Sequence, residues 1–90
     1  MVQNNNLIIT ADDFGLCNSV NDAIIDSFTN NNITNTSILA NMPNIEKNSE
    51  LLLKSKLNYG LHFSLNRGIP FNKKSTLCDQ TSFYCPKRAY

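Results

Sequence analysis

Residues 8–15, IITADDFG, join a short apolar run to two adjacent carboxylates and a glycine. The apolar, β-branched residues at positions 7–11 predict a strand that is buried on both faces, as in a parallel sheet. Asp12 and Asp13 directly follow this strand, and each raises the cost of ionising the other. A bound cation would offset that repulsion, because it holds one carboxylate as a ligand and leaves the other free as a base. The plainer alternative is a turn that caps the next helix.

The residues after this stretch predict a helix at about 19–30. Asn18 or Ser19 is available as its N-cap. The asparagines at 30–32 favour the end of the helix, because asparagine tolerates the left-handed conformation. Its apolar residues recur at helical spacing: Val20, Ala23, Ile24 and Phe28.

A second strand is predicted at 34–41, a second helix at about 44–56 and a third strand at 58–65. The second helix has a thin apolar face and charges that match the helix dipole, with Glu46 in its first turn and Lys54 and Lys56 in its last. That face consists of Ile45, Leu52 and Leu53.

Strands that begin near 7, 34 and 58 give a repeat of about 25 residues, which is typical of βαβ units in the α/β class. The strands should therefore be parallel, with right-handed crossovers. Three strands cannot close a barrel, so the chain is expected to be the opening βαβαβ part of a larger fold. Residues 66–90 have no periodicity and predict a long loop, with a short extended piece at 82–85.

The composition is that of one small globular domain spanning residues 1–90. The net charge is +1 and 41% of the residues are hydrophobic. This balance argues against binding to nucleic acid or a membrane surface, which needs clustered excess charge. The N-terminus lacks the pattern of a signal peptide, so a cytoplasmic location is expected. Three cysteines, at 17, 78 and 85, predict reduced thiols, with a Cys78–Cys85 bridge as the alternative.

Four polar residues should meet at the carboxyl edge of the predicted sheet: Asp12, Asp13, Asn41 and His62. A carboxylate with an imidazole suits a catalytic metal that keeps open positions for water or substrate. Each residue also has an ordinary structural explanation. His62 could be a hydrogen-bonded core residue, and Asn41 could be a turn residue before Pro43.

Four blocks resemble the start of the YdjC-like carbohydrate deacetylases, which include the chito-oligosaccharide deacetylases. These blocks are TADDFG at 10–15, VNDAII at 20–25, ITNTSILAN at 33–41 and YGLHFSLNRGIP at 59–70. The resemblance covers residues 7–84 and implies the N-terminal portion of a distorted (β/α) barrel. It also implies a divalent metal and the removal of acetyl groups from N-acetylated sugars.

The resemblance also implies a role for each matching residue. Asp12 resembles the catalytic base, while Asp13 and His62 resemble metal ligands. Asn41 and the residues at 67–84, Arg67 among them, would then lie near the sugar. Oxygen ligands favour Mg²⁺ and imidazole favours Zn²⁺, and of the two Mg²⁺ is preferred here.

This chain departs from the family because it has no second histidine and ends at Tyr90, whereas a barrel needs about 200 residues or more. We expect the 90-residue chain to be inactive alone: it is either a fragment of a split or truncated gene or a product that needs a partner segment. The partner expected is a C-terminal complementing segment, with a homo-oligomer as the alternative. The exposed edge of its third strand should invite pairing.

The sequence is also compatible with two alternatives from other classes of protein. The first is a non-catalytic remnant that binds sugar or metal. The second is a receiver-like signalling module, which also places an acidic pair after its first strand and binds Mg²⁺ there. Such a module needs an aspartate at the end of strand 3, where this sequence has His62.

Overall fold

The computed structural model describes residues 6–65, 67–72 and 74. The elements are β1 (Thr10–Phe14), α1 (Asn18–Thr29), β2 (Asn35–Ile38), α2 (Ile45–Ser55) and β3 (Asn58–Leu61). The strands form one sheet in the order β1-β2-β3, and both neighbouring pairs are parallel. This confirms the α/β class and the βαβαβ order. The extended piece predicted at 82–85 and the alternative Cys78–Cys85 bridge lie outside the described residues.

The first strand begins three residues later than the sequence predicts. Leu7 and Ile8 are 54% and 73% exposed, so the apolar run does not form a strand buried on both faces. The prediction was wrong because the helices cover one face of this sheet, and burial therefore alternates along β1 up to the fully buried Phe14. Phe14 and the partly buried Ala11 contribute the core contacts of β1.

The two adjacent aspartates lie inside β1, and not after it as predicted. Ala11 pairs with Thr36 and Phe14 pairs with Ile38, so Asp12 and Asp13 together oppose the single residue Ser37. This two-to-one pairing is a β-bulge. Asp13 takes a positive φ of 71°, a conformation that aspartate adopts more readily than most residues.

Both helices are found close to their predicted positions, although the N-cap of α1 is Cys17 and neither Asn18 nor Ser19. Cys17 makes no side-chain capping hydrogen bond, so the cap is set by its extended backbone. At the other end of α1, Asn31 has a φ of 59°, which confirms that asparagine serves the exit of this helix.

Helix α2 confirms the predicted charge arrangement, with Glu46 in its first turn and Lys54 in its last. Its predicted apolar face is wrong in one member. Leu52 is 1% exposed and belongs to the core, whereas Leu53 is 63% exposed. Lys56 follows the helix as a C-cap in the left-handed conformation.

The core lies between the two helices and one face of the sheet. Ile24 of α1 and Leu52 of α2 contact the same cluster as Phe14 and Ile38, so both helices cover this one face. Burying a side chain such as Leu52 contributes about 1.5–3 kcal/mol. Strands in sequence order with helices on one side are the arrangement found in (β/α) barrels.

The helix-covered face ends at β2. Tyr59 and Leu61 of β3 pair in register with Thr36 and Ile38, yet they are 53% and 67% exposed while their partners are buried. Within the described residues β3 pairs only with β2. This agrees with the exposed third-strand edge expected from the sequence. Neither helix of the described part combines the length and apolar content needed to cross a membrane.

Candidate active site

Asp13 and His62 meet at the carboxyl edge of the sheet, as their positions at strand ends predict. His62 directly follows β3, and its backbone N–H donates to the carbonyl of Ile38 at 2.9 Å, which continues the pairing with β2. The Nδ1 atom of His62 then lies 3.1 Å from Oδ1 of Asp13. The parallel sheet therefore brings together two side chains that are far apart in sequence.

The contact between these two atoms is close but is not a hydrogen bond. Nδ1 of His62 is buried and has no hydrogen-bond partner among the described residues. A buried polar nitrogen usually has a partner, because desolvation without one costs about 1–3 kcal/mol. An imidazole nitrogen and a carboxylate oxygen in this position suit a divalent cation as a shared partner. Asp13 and His62 are two potential ligands. Within the described ranges, no further cysteine, histidine or acidic residue is placed to act with them as a third ligand.

Asp12 contacts a different neighbour from Asp13. The hydroxyl of Ser37 donates to Oδ1 of Asp12 at 2.8 Å. The bulge thus turns the two adjacent carboxylates toward different strands, Asp12 to β2 and Asp13 to the residue after β3. Asp12 is exposed, and its second carboxylate oxygen has no hydrogen bond from Ser37. The two adjacent carboxylates therefore have separate contacts.

Asn41, three residues after β2, holds the segment that carries Arg67. Its side chain is 8% exposed, and its Nδ2 donates to the carbonyl of Arg67 at 2.6 Å. The backbone N–H of Ile69 returns a bond to the carbonyl of Asn41 at 2.8 Å. Gly68, between Arg67 and Ile69 in the chain, has a φ of 77°. A Cβ added there would lie 2.7 Å from the carbonyl oxygen of Asn41. The predicted contact of Asn41 with sugar remains a prediction, because its amide is engaged here.

Arg67 lies beside Asp13 and lines the same cleft. Its guanidinium NH1 is 3.8 Å from Oδ2 of Asp13, and its side chain is about half exposed. A pair this long and this solvated contributes little to stability. Arg67, Asp13 and His62 line an open cleft of about 590 Å³. The guanidinium is thus available to a ligand in that cleft.

Two buried asparagines outside the predicted site, Asn21 and Asn48, hold the turn after Asp13. The backbone N–H of Gly15 donates to Oδ1 of Asn21 at 2.6 Å. Nδ2 of Asn21 donates to Oδ1 of Asn48 at 3.1 Å, and Nδ2 of Asn48 donates to the carbonyl of Gly15 at 3.4 Å. These three bonds form a closed ring, which we call the Gly15 ring. The sequence signal was available, since both asparagines share a helix face with core residues, Ile24 and Leu52.

The exposed thiol of Cys17 has a pKa below its usual value. A hydrogen bond with the Ser19 hydroxyl, whose Oγ is 3.3 Å from Sγ, is the main cause. We expect alkylation of Cys17 by iodoacetamide to reach half its maximal rate at a lower pH than in the urea-unfolded chain, because the thiolate is the nucleophile.

This experiment uses a chain in which Cys78 and Cys85 are replaced by serine, so that a single thiol reacts. Ser19→Ala should move the midpoint back toward the unfolded value. Equal midpoints for the folded and unfolded chains would contradict the assigned hydrogen bond between Cys17 and Ser19.

The sequence matches the YdjC-like protein family over residues 6–88. It is 33% identical over 87 residues to a carbohydrate deacetylase of Danio rerio, covering 93% of this chain and 28% of the relative. It is 36% identical over 84 residues to a carbohydrate deacetylase of Thermoanaerobacter pseudethanolicus, covering 87% and 33%. A chitooligosaccharide deacetylase of Yersinia pestis is 39% identical over 74 residues, covering 81% and 29%.

No solved structure matches this chain significantly. The chain spans about a third or less of the length of these curated relatives. The family match nevertheless covers nearly all of its residues and includes the β1 bulge, the buried asparagines and the residue after β3. The chain belongs to the YdjC-like protein family.

Proposed function

We propose that this chain forms the first part of a metal-dependent hydrolase that removes acetyl groups from N-acetylated sugars. The observation that carries the proposal is the pairing of Asp13 with His62 beside Asp12 at one edge of the sheet. Relatives that match most of this chain are named carbohydrate deacetylase and chitooligosaccharide deacetylase. An acetylated sugar is therefore the substrate class that we infer.

Asp13 and His62 are the residues that would hold the metal. The orphaned Nδ1 of His62 and the carboxylate of Asp13 have the donor types for it, and Mg²⁺ remains our preferred ion over Zn²⁺. When bound, a divalent ion would polarise the acetamide carbonyl and acidify a nearby water. Since two protein ligands make a weak site, we propose that the 90-residue chain is inactive without further ligands.

Asp12 is the residue that we assign as general base. Ser37 holds one of its oxygens, which fixes the carboxylate and leaves the other oxygen to take a proton from the attacking water. In the overall reaction a C–O bond forms, the amide C–N bond breaks, and the released amine gains a proton as acetate leaves. The guanidinium of Arg67 is positioned to bind the substrate in the same cleft.

The test is a chimera in which this chain replaces the matching 84 residues of the Thermoanaerobacter pseudethanolicus relative. Acetate release from N,N′-diacetylchitobiose is measured with Mg²⁺ or Zn²⁺. We expect the chimera to be active, His62→Gln to abolish its activity, and the 90-residue chain alone to release no acetate. A folded chimera that is inactive with both ions, beside an active parent enzyme, would refute the proposal and favour a non-catalytic remnant.

A further inference from the structure

The turn that follows the aspartate pair is fixed by side chains of both helices. Gly15 is buried, and its N–H and its carbonyl both bond to side chains of the Gly15 ring, one from α1 and one from α2. A buried backbone group that loses its partner costs about 1–3 kcal/mol. The position of Gly15 is therefore determined by two amides that approach it from different elements.

The Gly15 ring connects to the proposed metal-binding pair through two backbone hydrogen bonds of the same turn. The N–H of Leu16 donates to the carbonyl of Asp13 at 3.1 Å, which closes a turn containing Gly15. The carbonyl of Phe14 accepts from the N–H of Leu39 at 2.9 Å, which anchors the same turn to the end of β2. Asp13 itself has a positive φ, so its carboxylate direction depends on the backbone on both sides of it.

Packing alone does not explain why asparagines occupy these two buried positions. Asn21 and Asn48 are 2% and 4% exposed on helix faces that otherwise contact the apolar core. Apolar side chains of similar size would bury more favourable surface there, whereas buried polar groups specify one geometry when all of them are satisfied. The ring satisfies the Oδ1 of both asparagines and the peptide groups of Gly15 at once.

We propose that Asn21 and Asn48 are positioning residues that set the orientation of the Asp13 carboxylate toward His62. The inference rests on the proposed function, in which these two side chains hold a metal. Neither asparagine contacts that pair directly, so both act through Gly15 and the turn.

The experiment compares Asn21→Ala and Asn48→Ala with Ile24→Val in the 90-residue chain. Ile24→Val is the matched control because it removes a methyl group from the same core and leaves every atom of the Gly15 ring in place. We expect the amide resonance of Asp13 and the imidazole resonances of His62 to shift at least threefold further in the asparagine variants than in the control. The dissociation constant for Mn²⁺, used as a probe, should rise at least fivefold.

The outcomes separate this inference from the proposed function. Shifts at Asp13 and His62 no larger than in Ile24→Val would overturn the positioning role, even if the original chain binds Mn²⁺. If the original chain alone binds no Mn²⁺, its two ligands are too few to hold the ion, the metal assignment is then decided by the chimera, and the metal-free resonances still decide the positioning role. Should Asn21→Ala not fold, Asn48→Ala, which leaves the bond from the Gly15 N–H to Asn21 in place, decides it in the same way.

Discussion

Gly15→Ala is expected to lower the free energy of unfolding by about 2–4 kcal/mol, from backbone strain and the loss of buried hydrogen bonds together. Gly15 has a φ of 98°, which an L side chain rarely adopts. An added Cβ would also lie 3.1 Å from Nδ2 of Asn48 and 3.5 Å from the carbonyl of Leu39. Asn48 would have to move, and its bond to the Gly15 carbonyl would be lost. A small domain has little stability in reserve, so this loss should be a large fraction of its total stability.

The same chain offers a matched control for this substitution. Gly60 in β3 has no atom within 4 Å of a built Cβ, and its φ lies outside the positive region. Gly60→Ala should therefore leave stability unchanged or raise it slightly, through the entropy of the unfolded chain. Urea unfolding followed by circular dichroism measures both variants. Similar losses for the two would show that the conformation of Gly15 is not the cause.

The topology and the Asp13–His62 contact could be predicted because they depend on general rules of parallel sheets. Alternating strand and helix patterns specify parallel strands, and parallel strands place their ends at one edge. Asp13 is the last residue but one of β1 and His62 directly follows β3, so both lie near such an end. Their contact therefore needs no detailed knowledge of packing, and the sequence was sufficient to predict it.

The start of β1 and its bulge could not be predicted, because they depend on which residue enters the core. The apolar run at 7–11 has the composition of a buried strand, yet Phe14 is the residue that the helices cover. Placing Phe14 opposite Ile38 moves the strand along the chain and leaves two residues opposite Ser37. Local propensity carries no information about this register, since tertiary contacts set it.

The supporting hydrogen bonds were missed for a different reason. Ser37 lies on the face of β2 opposite the buried Thr36 and Ile38, and its bond to Asp12 exists only because of the bulge. Asn21 and Asn48 interrupt apolar helix faces, which is a visible anomaly in the sequence. The anomaly indicates a buried polar partner, but the partner itself is a peptide group in the turn after β1.

Asp12→Asn in the chimera should reduce kcat for acetate release by about 10²–10⁴-fold, the usual contribution of a general base. The amide is nearly isosteric with the carboxylate, and its oxygen can still accept from the Ser37 hydroxyl, so the local structure should persist. What is lost is the basic oxygen that would take the proton of the attacking water. Because Asp13 and His62 are unchanged, metal affinity should fall much less than it does when Asp13 itself is replaced.

The complementary substitution, Asp13→Asn, separates the roles of the two neighbours. It removes the anionic contact beside Nδ1 of His62, so it should weaken metal binding and activity together. Asp22→Asn, on the exposed surface of α1, is the control for the loss of one negative charge and should leave both unchanged. Calorimetric titration with the metal and a steady-state acetate assay measure the two quantities. If Asp12→Asn weakens metal binding as much as Asp13→Asn does, both carboxylates are ligands, and the division between base and ligand is wrong.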